Sequence, residues 1–232
     1  MVTGHDGRYR PWQVGESSFV SSTRPRLRGV SHQYACAASA LFAIPLLLAA
    51  PTERAQFAAA VFATSLTAMF GVSAVYHRVT WRPTPRRWMA RVDHAGIYLL
   101  IAGTYTPYGL LVLDGAWQVT VLAVVWSGAA LAIVLKFAWV AAPKWLSAAI
   151  GIALGWAGVV AFPELVGEIG AAATTLVIVA GALYTGGAIV YALRRPDPRP
   201  DVFGYHEVFH ALVVGAAACQ YVAIAFFVIP KG

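Results

Sequence analysis

Along the chain, long apolar runs alternate with short polar loops. Seven runs stand out, at about 32–50, 55–79, 92–113, 116–138, 145–162, 168–193 and 203–229. Each is close to the roughly 17–25 residues that carry a helix across a bilayer. The fifth is the shortest and leaves little room for tilt. Residues 1–31, ahead of the first run, are rich in Arg, Ser, Gly and Pro and are expected to be disordered or interfacial. The chain thus divides into a basic segment, 1–31, and a helical domain, 32–229. The first run ends "LLLAAPTE", where Pro51 makes a poor cleavage context, so it reads as a retained span rather than a signal peptide. No internal repeat stands out.

Composition agrees with the pattern. The chain is 59% apolar and only 12% charged, against about 25% charged in soluble domains. A formal net charge of +7 raises nucleic acid as a partner. The positions of the basic residues exclude that reading, because they sit in short loops between apolar runs. Arg8, Arg10, Arg24, Arg26 and Arg28 precede the first run, and Arg78, Arg82, Arg86, Arg87 and Arg91 separate the second from the third. Lys136 and Lys144 flank the fourth loop, and Arg194, Arg195 and Arg199 the sixth. These fifteen fall on one side if the spans alternate, and only Arg54 and Lys231 fall on the other. Lysine and arginine mark cytoplasmic loops. The predicted fold class is an all-α membrane protein, a seven-transmembrane helix bundle with its N-terminus cytoplasmic and its C-terminus outside. The bias also checks the count, since it holds only for an odd number of spans near seven. Cys36 and Cys219 lie inside apolar runs without CxxC spacing and read as packing residues.

Few ionisable residues fall at membrane depth, and each is a functional candidate. "SAVYH" puts Ser73 and His77 at the inner end of span two. "RVDHAG" puts Asp93 and His94 at the start of span three, and "GYHEVFHALVV" puts His206, Glu207 and His210 at the start of span seven. Three spans distant in sequence therefore bring polar groups to one level, on the order of 5–15 Å below the cytoplasmic surface at 1.5 Å per helical residue.

His206 and His210 are four apart and share a helix face. They form one half of a metal site that His77 can complete. Zinc takes three protein ligands in a catalytic site and leaves a fourth position open. Asp93 is then a carboxylate to hold the reacting water or take its proton, and Ser73, one turn from His77, can hydrogen-bond that water or a substrate oxygen. Simpler readings stay open at each position. A membrane histidine can bond a backbone carbonyl, Asp93 can cap helix three, and Ser73 can be a small packing residue. His94 points about 100° away from Asp93 and reads as packing. His5 and His32, in or beside the N-terminal segment, read as solvated. "HEVFH" also matches the HExxH of zinc proteases, with Glu207 as base. The preferred role for Glu207 is instead an ion pair with a loop arginine such as Arg195 or Arg199. Pro107, in "GTYTPYG", should bend span three and free a carbonyl. Trp81, Trp88, Trp117 and Trp145 fit interfacial anchors.

"SAVYH", "RVDHAGIYLLIAGTYTPY" and "FGYHEVFHALVVGAAACQYVAI" resemble the hemolysin III family, the prokaryotic branch of the progestin and adipoQ receptor superfamily, related to the alkaline ceramidases. The resemblance covers about residues 60–229. It implies seven helices, Zn2+ on His77, His206 and His210, Asp93 beside the metal's water and Ser73 in the same motif. It makes the HExxH match coincidental. The expected function is a zinc-dependent hydrolase of a membrane lipid amide or ester, in a prokaryotic plasma membrane. The rivals are a non-enzymatic lipid sensor or membrane-fluidity regulator with structural zinc, a cytolytic or pore-forming protein, and an intramembrane protease.

Overall fold

The computed structural model describes residues 24–139 and 141–232. Among the described residues seven α-helices follow in order: α1 (Val30–Leu48), α2 (Glu53–Arg78), α3 (Pro83–Leu111), α4 (Gly115–Ala138), α5 (Lys144–Gly155), α6 (Phe162–Leu193) and α7 (Tyr205–Ala223). There is no strand among the described residues. Helical turns over Ile224–Lys231 extend α7. Five stretches are long and apolar enough to cross a membrane: α1, α2, α4, Lys144–Leu193 and Tyr205–Lys231. Although α3 has 29 residues, its first turns carry the polar run "PTPRRWMARVDH".

Boundaries follow local chemistry. Thr52 caps α2 by accepting from Ala55 N at 3.2 Å, and Pro83 opens α3 at a position where its missing N–H costs nothing. The apolar pattern predicts a break at 163–167, yet α6 already begins at Phe162. Pro163 suits the first turn of that helix, and the backbone leaves helical geometry later, at Gly170 (φ 76°). The chain nonetheless folds back within Lys144–Leu193. Trp156 Nε1 donates to Thr185 Oγ1 at 3.0 Å, although 29 residues of straight helix would separate them by roughly 40 Å.

Sequential helices pack side by side, and α7 returns to α1, which closes a ring. One apolar cluster joins α1, α2, α6 and α7 around Phe62, Leu66, Phe70 and Ile224. A second joins α3 and α4 around Tyr98, Val121 and Val125.

The expectation of a disordered or interfacial 1–31 lies, for residues 1–23 and so for His5, outside the described residues. Residues 24–31 are tied down. Arg26 N and Leu27 N donate to Asp201 O and Val202 O at 3.0 and 3.1 Å. Arg24 caps the end of α2 through Val79 O and Tyr76 O, at 3.4 and 3.3 Å. Gly29 then starts α1 with φ 77°, and a Cβ there would lie 2.6 Å from His77 Cβ. Only glycine both adopts that backbone readily and fits the gap.

Candidate metal centre and its cavity

The histidines of the predicted site come from helix ends, whereas Asp93 lies about three turns into α3 and Ser73 more than a turn inside α2. His77 closes α2, and His206 and His210 occupy the first two turns of α7. The α7 start is held by two carboxylates that take its free N–H groups. Asp197 Oδ1 accepts from Tyr205 N at 2.7 Å, and Glu207 Oε2 from Gly204 N at 2.9 Å. With that turn fixed, the two imidazoles project together toward α2.

One nitrogen from each of His77, His206 and His210 lies within 4.8 Å of the others. Ring centroids are 4.7 Å apart for His77–His206, 5.0 Å for His77–His210 and 4.5 Å for His206–His210. The Nε2 atoms of His77 and His206 are 3.1 Å apart, and His210 Nδ1 is buried with no hydrogen-bond partner among the described residues. Converging ring nitrogens, two of them aimed at each other, are a donor set that fits a metal ion. Asp93 Oδ2 stands 3.9 Å from His77 Nε2, with Ser73 as its other polar neighbour. Ser73 is buried and lies 2.8 Å from His32 Nδ1. His94 is turned away from the cluster. Its Nδ1 contacts Ala90 O, and its Nε2 lies 3.1 Å from Tyr191 OH.

Three expectations are corrected. His32 is not solvated: it is 2% exposed, and its ring stacks on His210 at 3.7 Å and an interplanar angle of 10°. It belongs to the first turn of α1, which carries it inward to the histidine cluster. Glu207 is a structural carboxylate, as preferred, but its partner is Arg28 rather than Arg195 or Arg199. Backbone pairing of Arg26 and Leu27 with the loop before α7 delivers that guanidinium. Trp88, Trp117 and Trp145 are exposed, whereas Trp81 turns inward and its indole Nε1 is buried with no acceptor among the described residues. Sequence reading also passed over Tyr191, whose ring lies 5.9 Å from that of His206. Its place near the inner end of α6, in "IVYALRR", was the available signal.

Beside the cluster opens a cavity of about 810 Å³. It runs from Arg24, Arg86 and Lys144 at its polar mouth, past Asp93, to Tyr108 and Gln220. At the deep end Tyr108 OH donates to Gln220 Oε1 at 2.8 Å. Arg24, at the mouth and outside the helices, has its pKa lowered by partial burial and by neighbouring Arg28, Arg86 and Arg78.

Fold and side chains together define an all-helical integral membrane protein with a three-imidazole cluster beside an internal cavity. The Haemolysin-III related family matches residues 20–221, and the chain belongs to that family. It is 29% identical over 167 residues to a protein named Hemolysin-3 homolog from Bacillus subtilis (strain 168), covering 72% of this chain and 75% of that one. It is 29% identical over 179 residues to Hemolysin-3 of Bacillus cereus, covering 77% and 78%. A more distant similarity, 29% over 173 residues, is to the Adiponectin receptor protein of Drosophila melanogaster, covering 67% of this chain and 39% of that one. That match agrees with membership of the progestin and adipoQ receptor superfamily.

Proposed function

We propose that the chain is a seven-transmembrane, zinc-dependent hydrolase of a lipid amide or ester, working in the cytoplasmic leaflet of a bacterial plasma membrane with its N-terminus inside. One observation carries the reading: three imidazoles from α2 and α7 converge at the mouth of a long internal cavity, with a carboxylate 3.9 Å from one of them. His77, His206 and His210 would hold the ion. Zinc there supplies Lewis acidity, polarising a carbonyl and lowering the pKa of a water. Asp93 Oδ2 is within reach to accept the proton of the attacking water and return it to the leaving group. Ser73 Oγ, oriented by His32, can donate to the carbonyl oxygen as charge develops on it. The apolar length of the cavity houses an acyl chain and keeps bulk water from the reacting carbonyl. The seven-span topology and its orientation rest on the loop charges and on the meeting of the ends of α2 and α7 with Asp93 of α3.

Purified protein is to be incubated with a lipid panel, including ceramides and glycerolipids, while fatty acid release is followed. The reading expects release that stops on chelation and returns with zinc. Release insensitive to chelation, or none from any lipid, overturns it.

One observation favours a second reading, in which zinc is structural and the protein senses lipid. The imidazoles come from helices 129 residues apart, so an ion between them would staple α2 to α7. Asp93→Asn separates the two: lost turnover with metal and fold retained supports hydrolysis, and unchanged function supports the staple. The relatives' printed name raises a cytolytic reading. Against it, deep polar groups such as Tyr108 and Gln220 satisfy each other within the wall.

A further inference from the structure

We propose that the cavity mouth is a binding site for the phosphate of an anionic phospholipid headgroup, with Lys136 as its principal ligand. The proposal rests on the hydrolase reading for the identity of the substrate and narrows that substrate to lipids with a net negative headgroup.

Lys136 is the unusual residue. It lies in the last turn of α4 and is only 4% exposed. Among the described residues it has neither a carboxylate partner nor a hydrogen-bond acceptor. The residue is shielded by its neighbours while its ammonium opens onto the cavity, and a partly desolvated cation without a facing carboxylate favours a counter-ion. The C-terminal dipole of α4 offers partial compensation only. Lys136 lines the cavity, so the open space in front of it is where a counter-ion fits.

The rest of the mouth has the same sign. Five cations line the cavity, Arg24, Arg28, Arg86, Lys136 and Lys144, against the single carboxylate of Asp93. Arg28 is committed to Glu207, and Arg24 to the end of α2. Lys144 is held in place, with its Nζ donating to Tyr205 OH at 2.8 Å and lying 4.7 Å from the centroid of Tyr191. Lys136 and exposed Arg86 remain to bind an incoming anion.

The geometry also sets distance from the reacting centre. Lys136 and Lys144 line the same cavity as Asp93 and His94. Tyr191, under the Lys144 ammonium, has its ring 5.9 Å from that of His206. Lys144 is thus one aromatic ring removed from the imidazoles, and Lys136 lines the same cavity. The short polar backbone of a phospholipid, between phosphate and acyl carbonyl, spans such a gap while the acyl chain continues down the cavity. A neutral lipid would leave Lys136 uncompensated in the complex.

The test reads binding without turnover. Full-length protein in a neutral detergent is titrated with dihexanoyl phosphatidylglycerol, the matched phosphatidylcholine, and inorganic phosphate. Wild type should prefer the phosphatidylglycerol by about tenfold, with binding that weakens as salt is added. Lys136→Met should cost about fivefold toward the anionic lipid, the value of one cation near an anionic surface, and nothing toward phosphatidylcholine. Lys136→Arg should restore the preference, and Lys231→Met, at the far end, should leave it alone. Should Lys136→Met fail to fold, the Arg variant and the salt dependence of wild type carry the same contrast. Equal affinity for the two lipids, or equal losses for both in Lys136→Met, overturns the site. Inorganic phosphate binding as tightly as the lipid overturns the lipid source. A chain that binds phosphatidylglycerol but releases no fatty acid from any lipid overturns the hydrolase reading alone.

Discussion

The two helices α2 and α5 both line the cavity, and they are built in opposite ways. Twelve residues of α2 are buried, from Ala55 to His77, and it packs along both α1 and α3. In α5, with only 12 residues, none is buried, and Gly151 and Gly155 have open space where a side chain would be. The difference separates two tasks. On the proposed reading a metal ligand needs a wall that holds a ring to within about half an ångström, and the dense α2 suits that need. On the proposed reading a lipid needs a wall thin enough to pass or yield, and α5 fits that need, with Trp145 exposed outside and Gly151 lining the cavity.

The comparison can be broken most severely at the chemistry carried beside the dense wall. Asp93→Asn should lower lipid turnover by about 10²–10⁴-fold, the value of a general base, with metal content unchanged. Loss of metal in that variant would make Asp93 a ligand or a folding residue instead. The next effect is on stability. Phe62→Ala in α2 should cost about 3–5 kcal/mol, as for a fully buried aromatic, whereas Ile152→Ala in α5 should cost under about 1.5 kcal/mol; thermal unfolding in detergent compares them, and equal costs would erase the distinction. Arg28→Met leaves the Glu207 carboxylate, 3% exposed, without its cation. That should destabilise by about 3 kcal/mol, while Glu207→Gln in the same background should recover part of the loss. A smaller change comes from filling the thin wall. Gly151→Leu should leave the melting temperature within a few degrees and reduce turnover of long-chain lipid about tenfold, with shorter chains less affected. A uniform loss across chain lengths would indicate a distorted helix instead.

Much of this was legible in the sequence, for a clear reason. Long apolar runs readily form helices in a bilayer, so each run holds a helix, but α3 begins at Pro83 rather than 92, α5 ends at Gly155 rather than 162 and α6 begins at Phe162 rather than 168, because polar or proline-bearing helical turns carry no apolar signal. The level of Ser73, His77, Asp93, His206 and His210 followed from counting turns from the same side. The same counting applies to His32, in the first turn of α1, and would have brought it to the cluster. It was missed because its polar neighbours made it look like part of the preceding segment. The Arg28–Glu207 pair was less accessible. It joins residues 179 apart through a turn whose position depends on backbone bonds to Asp201 and Val202, and nothing in the local pattern signals such a tuck. Lys136 was legible as a loop-flanking cation but not as a buried one, since its exposure depends on how α4 meets the rest of the ring.

All of these contrasts depend on three imidazoles meeting around one ion. Elemental analysis of purified, tag-free protein tests it directly, comparing wild type with His77→Ala, His206→Ala, His210→Ala and His94→Ala. The prediction is about one zinc per chain in wild type and in His94→Ala, and little or none in the other three. Wild type without metal, or with metal undiminished when His77 is removed, would contradict it.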